Sequence, residues 1–253
     1  MKAQPKNFEL IERINALQGA SRRYIDSSEL SRNAREWRLI KREIDALFSV
    51  DACMAWELVG AWKGLTGDFT GTEEAFQKSI ALGDSGTNHM NQMVNRLNLG
   101  MFSAAQELFK VVGDPERGNF LMVVLDGFRA GSVERAASFI ERARAMHIEW
   151  NKQLTEDVEM ANQILREAGI SDERIARHLD VAGQVLTRHH IRPHIAPRVT
   201  SADGFFHGVT YALAVPVTAD EAFEMNMELA MEENEAGIEK DVAFDVVFEP
   251  VHA

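Results

Sequence analysis

Residues 187–194 read Thr-Arg-His-His-Ile-Arg-Pro-His, and with His178 and His207 they bring five of the eight histidines into residues 178–207. Neutral imidazoles grouped near a carboxylate such as Asp180 are the ligand chemistry of zinc and nickel. His178, His190 and His194 are therefore the metal candidates, and a metal-dependent enzyme built on segment 178–207 is the catalytic reading of this chain. The spacing argues the other way. The segment lacks a pair of histidines in an HExxH arrangement, and Pro193 interrupts any common helix face. A basic helix end, where His and Arg complement the carbonyl end of the dipole, accounts for the same residues. We expect no bound metal and no cofactor.

Other reactive types are equally poor in partners. Cys53 is the single cysteine, set among Ala52, Met54 and Trp56, which reads as a small packing residue rather than a nucleophile. Glu73-Glu74 and Glu232-Glu233 are neighbours in helical sequence, so their side chains diverge by about 100° and would not share a proton. A glycine-rich phosphate loop, a GxSxG elbow and a dinucleotide fingerprint are all missing from the sequence. The chain is expected to be non-enzymatic, without catalytic residues.

The totals bound the partners. The net charge of −12 is concentrated at one end: residues 1–50 carry 10 Lys/Arg against 7 Asp/Glu, whereas residues 201–253 carry 1 against 12. A surface of that sign argues against nucleic acid, which needs clustered cations to displace counterions. The basic helix near the N-terminus leaves a nucleic-acid-associated regulator as a second alternative, though a solvated face explains it as well. A basic protein partner suits the acidic end. No apolar run reaches the ~20 residues of a membrane span. Glu9, Glu12 and Arg13 break up any signal-peptide pattern, and a lone cysteine excludes an intrachain disulfide, so the cytoplasm is the expected compartment.

These residues must be held by a helical frame. Gly67, Gly100 and Gly131 stand 33 and 31 residues apart, each followed two positions later by Phe69, Phe102 or Val133. A helix-like stretch precedes each glycine: ACMAWELVGAWKGL, NHMNQMVNRLNL or NFLMVVLDGFRA. A second follows, with Phe76, Ile80 and Leu82 in the first copy. Ala105, Leu108, Phe109 and Val112 mark the second copy, and Ala136, Phe139, Ile140 and Ala143 the third. The unit is helix, glycine turn, helix, at a period typical of stacked helical hairpins.

Over residues 53–146 the chain resembles the tetratricopeptide repeat family. Trp56, Gly60, Gly67-Asp68-Phe69, Phe76 and Ser79 fall on the family positions, with Thr72 where the first alanine belongs. The second copy keeps Gly100, Phe102, Ala105 and Phe109 but has His89 and Met93 at the large and small positions. The third keeps Gly131, Ala136 and Ala143, with Ile140 in the aromatic place. The resemblance implies a curved stack whose first helices receive a peptide or helix, in an adaptor, chaperone-like or regulatory role. By position Glu57, Asn88, Asn91, Gln92, Asn95 and Asn119 are the groove residues. The 3–4 spacing of Asn88, Asn91, Gln92 and Asn95 puts their amides on one helix face, suited to the backbone of an extended peptide.

Upstream, residues 8–17 predict a short amphipathic helix, and SSELSRNAREWRLIKREIDALF a long one capped by Ser27 or Ser28. Downstream, helices are expected over 149–168, ending at Gly169, and from Ser171 onward. The period then changes to two. Val209, Tyr211, Leu213 and Val215 mark a strand, paired through an Ala-Asp-Gly turn with an edge strand marked by Pro193 and Pro197. A helix follows with Thr218 as N-cap, Glu221 as its box partner and Gly237 as its stop, then a strand with Val242, Phe244, Val246 and Phe248 on one face.

The predicted fold is mainly α: stacked helical hairpins over 1–170, then a small acidic α+β domain over 171–253 with a three-stranded antiparallel or mixed sheet and two helices. That domain offers a second contact or self-association through its sheet edge. On its acidic helix Glu224, Met227, Glu228 and Met231 form the candidate contact strip.

Overall fold

A computed structural model describes residues 6–111, 113, 114, 116, 118–202 and 206–251. It is mainly helical, with a small mixed sheet at its C-terminal end. Helices α1 (Lys6–Ala20) and α2 (Arg32–Leu47) precede three consecutive hairpins. These are α3 (Ala52–Gly64) with α4 (Phe69–Leu82), α5 (Gly86–Asn98) with α6 (Phe102–Lys110), and α7 (Phe120–Arg129) with α8 (Val133–Ala145).

Each hairpin turn closes on its glycine. Gly67, Gly100 and Gly131 have φ of 72°, 71° and 79°, the left-handed conformation that costs a residue with a Cβ and ends a helix cleanly. The 31–33-residue spacing is therefore a repeat of backbone geometry. Pairing within the first hairpin is antiparallel, since Thr72 Oγ1 donates to the Gly60 carbonyl (3.3 Å) and Ser79 Oγ to that of Cys53 (3.0 Å). Thr72, in place of alanine, thus brings a satisfied hydroxyl. A Cβ at Gly60 would lie 2.6 Å from the Phe76 ring, so the small residue allows the aromatic one to seat. Val112, expected on the second helix of the next pair, lies outside the described residues.

Two entries into helices differ from expectation. The cap of α2 is Ser31, accepting from the Ala34 amide (3.2 Å), because Ser28 is captured by Asp26 through its amide (2.8 Å) and hydroxyl (2.6 Å). Leu30 consequently precedes the helix and is exposed. The segment at 149–168 opens as a 3₁₀ turn, Lys152–Thr155, before α9 (Glu156–Glu167), with Trp150 outside both. Ser171, Gly169 and the Thr218/Glu221 capping box stand where they were expected.

Helix α10 (Asp172–Arg188) leads into β1 (Ile195–Ala202), β2 (Phe206–Val215), α11 (Ala219–Glu235) and β3 (Phe244–Pro250). The strand order is β1-β2-β3, with β1 antiparallel to β2 (Ile195 opposite Leu213) and β2 parallel to β3 (Val209 opposite Phe244). Pro197 lies on the edge strand, whereas Pro193 precedes it. Asp203 and Gly204 of the expected turn lie outside the described residues. Val242 does not join Phe244, Val246 and Phe248: a bridge between Asp241 and Phe244 turns the chain there and leaves Val242 exposed.

The apolar side chains form two clusters. One gathers α1, α2 and α3 around Leu10, Ile40, Ile44 and Leu58. The other runs from Met93 to Phe248, so the second and third hairpins share a core with α9, α10 and the sheet across the expected boundary at residue 170. Tyr211 shows the junction: it is buried on β2, and its hydroxyl donates to the Phe128 carbonyl at the end of α7 (2.6 Å).

Candidate functional site

The amide face of α5 is turned into the protein. Asn88 is buried as part of its own helix cap, its Nδ2 donating to the Gly83 carbonyl (2.7 Å) and its Oδ1 accepting from the Ser85 amide (3.1 Å). Gln92 is buried and donates to Glu73 Oε2 (2.9 Å). Asn91, half-buried, donates to Glu57 Oε1 (2.5 Å), and Asn95 to the Asn91 carbonyl (2.8 Å). Glu57 is itself buried. Burial pushes its carboxyl up, against the opposing bond from Asn91.

These residues do share a face, as their spacing requires, but that face meets α3 and α4. Asn88, Gln92 and Glu57 are thereby withdrawn from any partner-facing surface, because buried polar groups must be satisfied within the fold. Asn119 stands apart at the start of α7, half-buried.

The histidines are dispersed. His178 is buried on α10 and pairs through Nδ1 with Glu233 Oε1 of α11 (2.7 Å), beneath the edge of Phe244. Burial pushes Glu233 up, but His178 and Lys240 more than offset it and hold the carboxyl below its usual range. His189 meets Glu228 (2.8 Å), His190 takes the left-handed conformation ending α10 (φ 55°), and His207 contacts Ser201 (2.9 Å). Among the described residues no group of three or more His, Cys, Asp or Glu is gathered as a metal site. Cys53 is half-buried, its thiol against the Ser79 carbonyl (3.3 Å).

Helix α11 presents two faces. Ala222, Met225, Leu229 and Glu233 point inward. Phe223, Met227 and Met231, spaced by four, are exposed by 66%, 51% and 62%, one apolar stripe facing water. The helix carries seven acidic residues and no Lys or Arg. Arg188 holds Glu228 (2.7 Å) and Glu232 (3.1 Å) along one flank, while Glu224 is exposed. Beyond its C-terminal end, Arg177 and Arg174 donate to the carbonyls of Ala236 (3.5 Å) and Glu239 (3.0 Å). The stripe therefore sits on a braced helix. Met227 and Met231 were legible in sequence. Phe223 was missed, although the same four-residue step reaches it.

Arg192 was missed as well. Only 4% exposed, it donates from its amide to the Arg22 carbonyl (2.7 Å) and through Nη2 to the carbonyls of Gln18 (3.2 Å) and Ser21. It thus ties the chain after α10 to the end of α1. Comparison with protein families, with curated proteins and with solved structures finds no match for the chain. No helix is long and apolar enough to cross a membrane among the described residues.

Proposed function

We propose that the protein is a non-enzymatic protein–protein interaction module, an adaptor or regulator, whose principal contact is the outer face of α11. The observation that carries this reading is the exposed Phe223–Met227–Met231 stripe on a helix otherwise dense in carboxylates. The fitting occupant is an amphipathic basic helix: apolar residues cover the stripe and cations meet Glu224, Glu228 and the neighbouring acids. A second copy of α11 would bring like charge against like. Covering three such side chains contributes about 5 kcal/mol before the costs of association, so charge complementarity is needed to give useful affinity.

The three hairpins support a tetratricopeptide-like frame, which we propose as the architecture that carries this surface. The repeated left-handed glycines and the Gly60–Phe76 seat favour it. With Asn88 and Gln92 buried, the amide face of α5 is the weaker seat for a peptide.

The test is affinity capture from the source cell with the wild type and with a Phe223→Ser, Met227→Ser, Met231→Ser variant, after circular dichroism shows that both fold. Partners that are lost with the variant and released by moderate salt support the reading. An unchanged set of bound proteins, indifferent to salt, overturns it.

A further inference from the structure

Asn15 and Gln18 of α1, Asn98 at the end of α5, and Arg22, Arg192 and His194 line a cavity of about 490 Å³. Among the described residues its lining holds two guanidiniums, one imidazole and three amides and no carboxylate, in a chain whose net charge is −12. We propose that this cavity is a binding site for a small phosphate-bearing anion, its phosphate between Arg22 and Arg192 and its remaining polar atoms against Asn15, Gln18 and Asn98.

Among the described residues no carboxylate compensates these charges. Arg192 is 4% exposed, and among the described residues its guanidinium meets backbone carbonyls through Nη2 while Nε has no partner. A buried cation without a counter-charge is costly, and structures usually provide a carboxylate. Arg22 donates to the Ala214 carbonyl (3.3 Å), and no carboxylate pairs with it among the described residues. Arg129, beyond the rim, is matched by Asp126 (2.9 Å), so the excess is local to the cavity. Burial first, then the fields of Arg22 and Arg129, hold His194 below its usual range, and burial brings Arg192 down to about 10. Both shifts agree with a pocket short of negative charge.

Guanidinium pairs suit phosphate because their planar forks present parallel N–H donors to its oxygens. The volume lies in the range of small-molecule pockets and exceeds the needs of a lone inorganic ion, leaving room for an organic body that the three amides can address. The site also joins the two hydrophobic clusters, since Asn15 and Gln18 lie on the helix of the first and Arg192–His194 adjoin the second. Occupancy would clamp α1 to the rest of the molecule.

The proposal is tested by thermal unfolding of the full chain against inorganic phosphate and, separately, citrate, each with sodium chloride at matched ionic strength. Phosphate is expected to raise the midpoint saturably beyond chloride. Arg22→Gln, at a half-buried position that leaves the Arg192 latch in place, should weaken the apparent affinity at least tenfold, and Asn98→Ala by a smaller factor. A saturable response to citrate alone, or none to either anion beyond chloride, overturns the phosphate assignment. A phosphate response unchanged by both substitutions overturns the site. Hydrogen exchange in α1 that slows with phosphate in the wild type but not in Arg22→Gln confirms the clamp, and equal protection in both also overturns the site.

Discussion

The indoles of Trp37 on α2 and Trp62 on α3 lie face to face, 4.1 Å between ring centroids and 12° from parallel, and each donates its N–H to the other's backbone carbonyl (3.0 and 2.8 Å). The exchange fastens the N-terminal helices to the first hairpin and satisfies both indole donors within the same contact. Trp62→Phe keeps an aromatic ring but removes one donor, and the Trp37 carbonyl keeps only its bond within α2. We expect a loss of about 0.5–1.5 kcal/mol in stability, read as a lower urea midpoint. A midpoint equal to that of the wild type would show that the reciprocal bonds contribute nothing net.

Gly100, in the α5–α6 turn, and Gly183, in α10, meet backbone to backbone. A Cβ added at Gly100 would stand 2.9 Å from the Gly183 Cα, and one added at Gly183 would overlap the Gly100 carbonyl. Alanine ordinarily favours a helix over glycine by about 1 kcal/mol. Here the overlap with rigid backbone outweighs that gain, and Gly183→Ala should destabilise by about 2–3 kcal/mol. Gln184→Ala, one residue along on the exposed face, should stay within about 0.5 kcal/mol of the wild type. A stabilised Gly183→Ala protein would exclude this close approach of α10.

His178 and Glu233 form a buried pair, 2% and 1% exposed. Removing His178 takes one partner from Glu233 and leaves Lys240 at its other oxygen, so His178→Leu alone should cost about 1–3 kcal/mol. The double variant His178→Leu, Glu233→Met should recover much of that loss, and a double-mutant cycle in urea measures the coupling. Additive losses would show that the two groups act independently.

Asp172 gives the fold a pH dependence of its own. Its carboxylate accepts from the amides of Glu134 (3.0 Å) and Arg135 (3.3 Å) at the start of α8, yet burial pushes it up to about 6. Unfolded, such a group titrates near 3.9. Between these values the folded chain holds a proton that the unfolded chain releases. Its contribution therefore falls as pH rises through that window, by about 3 kcal/mol, and is level above it. Asp172→Asn should gain stability relative to the wild type as pH goes from about 4 to 7. A constant difference between the two urea midpoints across that range would refute the shift.

How much of this was legible in advance depended on how far apart the deciding residues lie in the chain. The mainly α fold with a late three-stranded sheet followed from periodicity, because apolar spacing of three and four or of two reflects which side of an element leaves water. The turn glycines, the Ser171 and Thr218 caps and the Gly169 and Gly237 stops are nearest-neighbour chemistry, read from a few consecutive residues. Even there a local competitor intervened: Asp26 captured Ser28 and moved the start of α2 to Ser31.

The candidate surfaces divide along the same line. Periodicity placed Asn88, Asn91, Gln92 and Asn95 together on α5 but could not say that α3 and α4 would cover them. A helix face has no address until another element packs on it. The outward stripe at Met227 and Met231 could be read in part, since the carboxylates beside it mark a helix with a wet side. Sequence therefore determined the elements, their turns and the distribution of charge. Tertiary packing alone decided that Gly100 needs Gly183, that His178 takes Glu233, and that Arg22 and Arg192 share a cavity, because each joins segments whose meeting depends on how every helix between them is stacked.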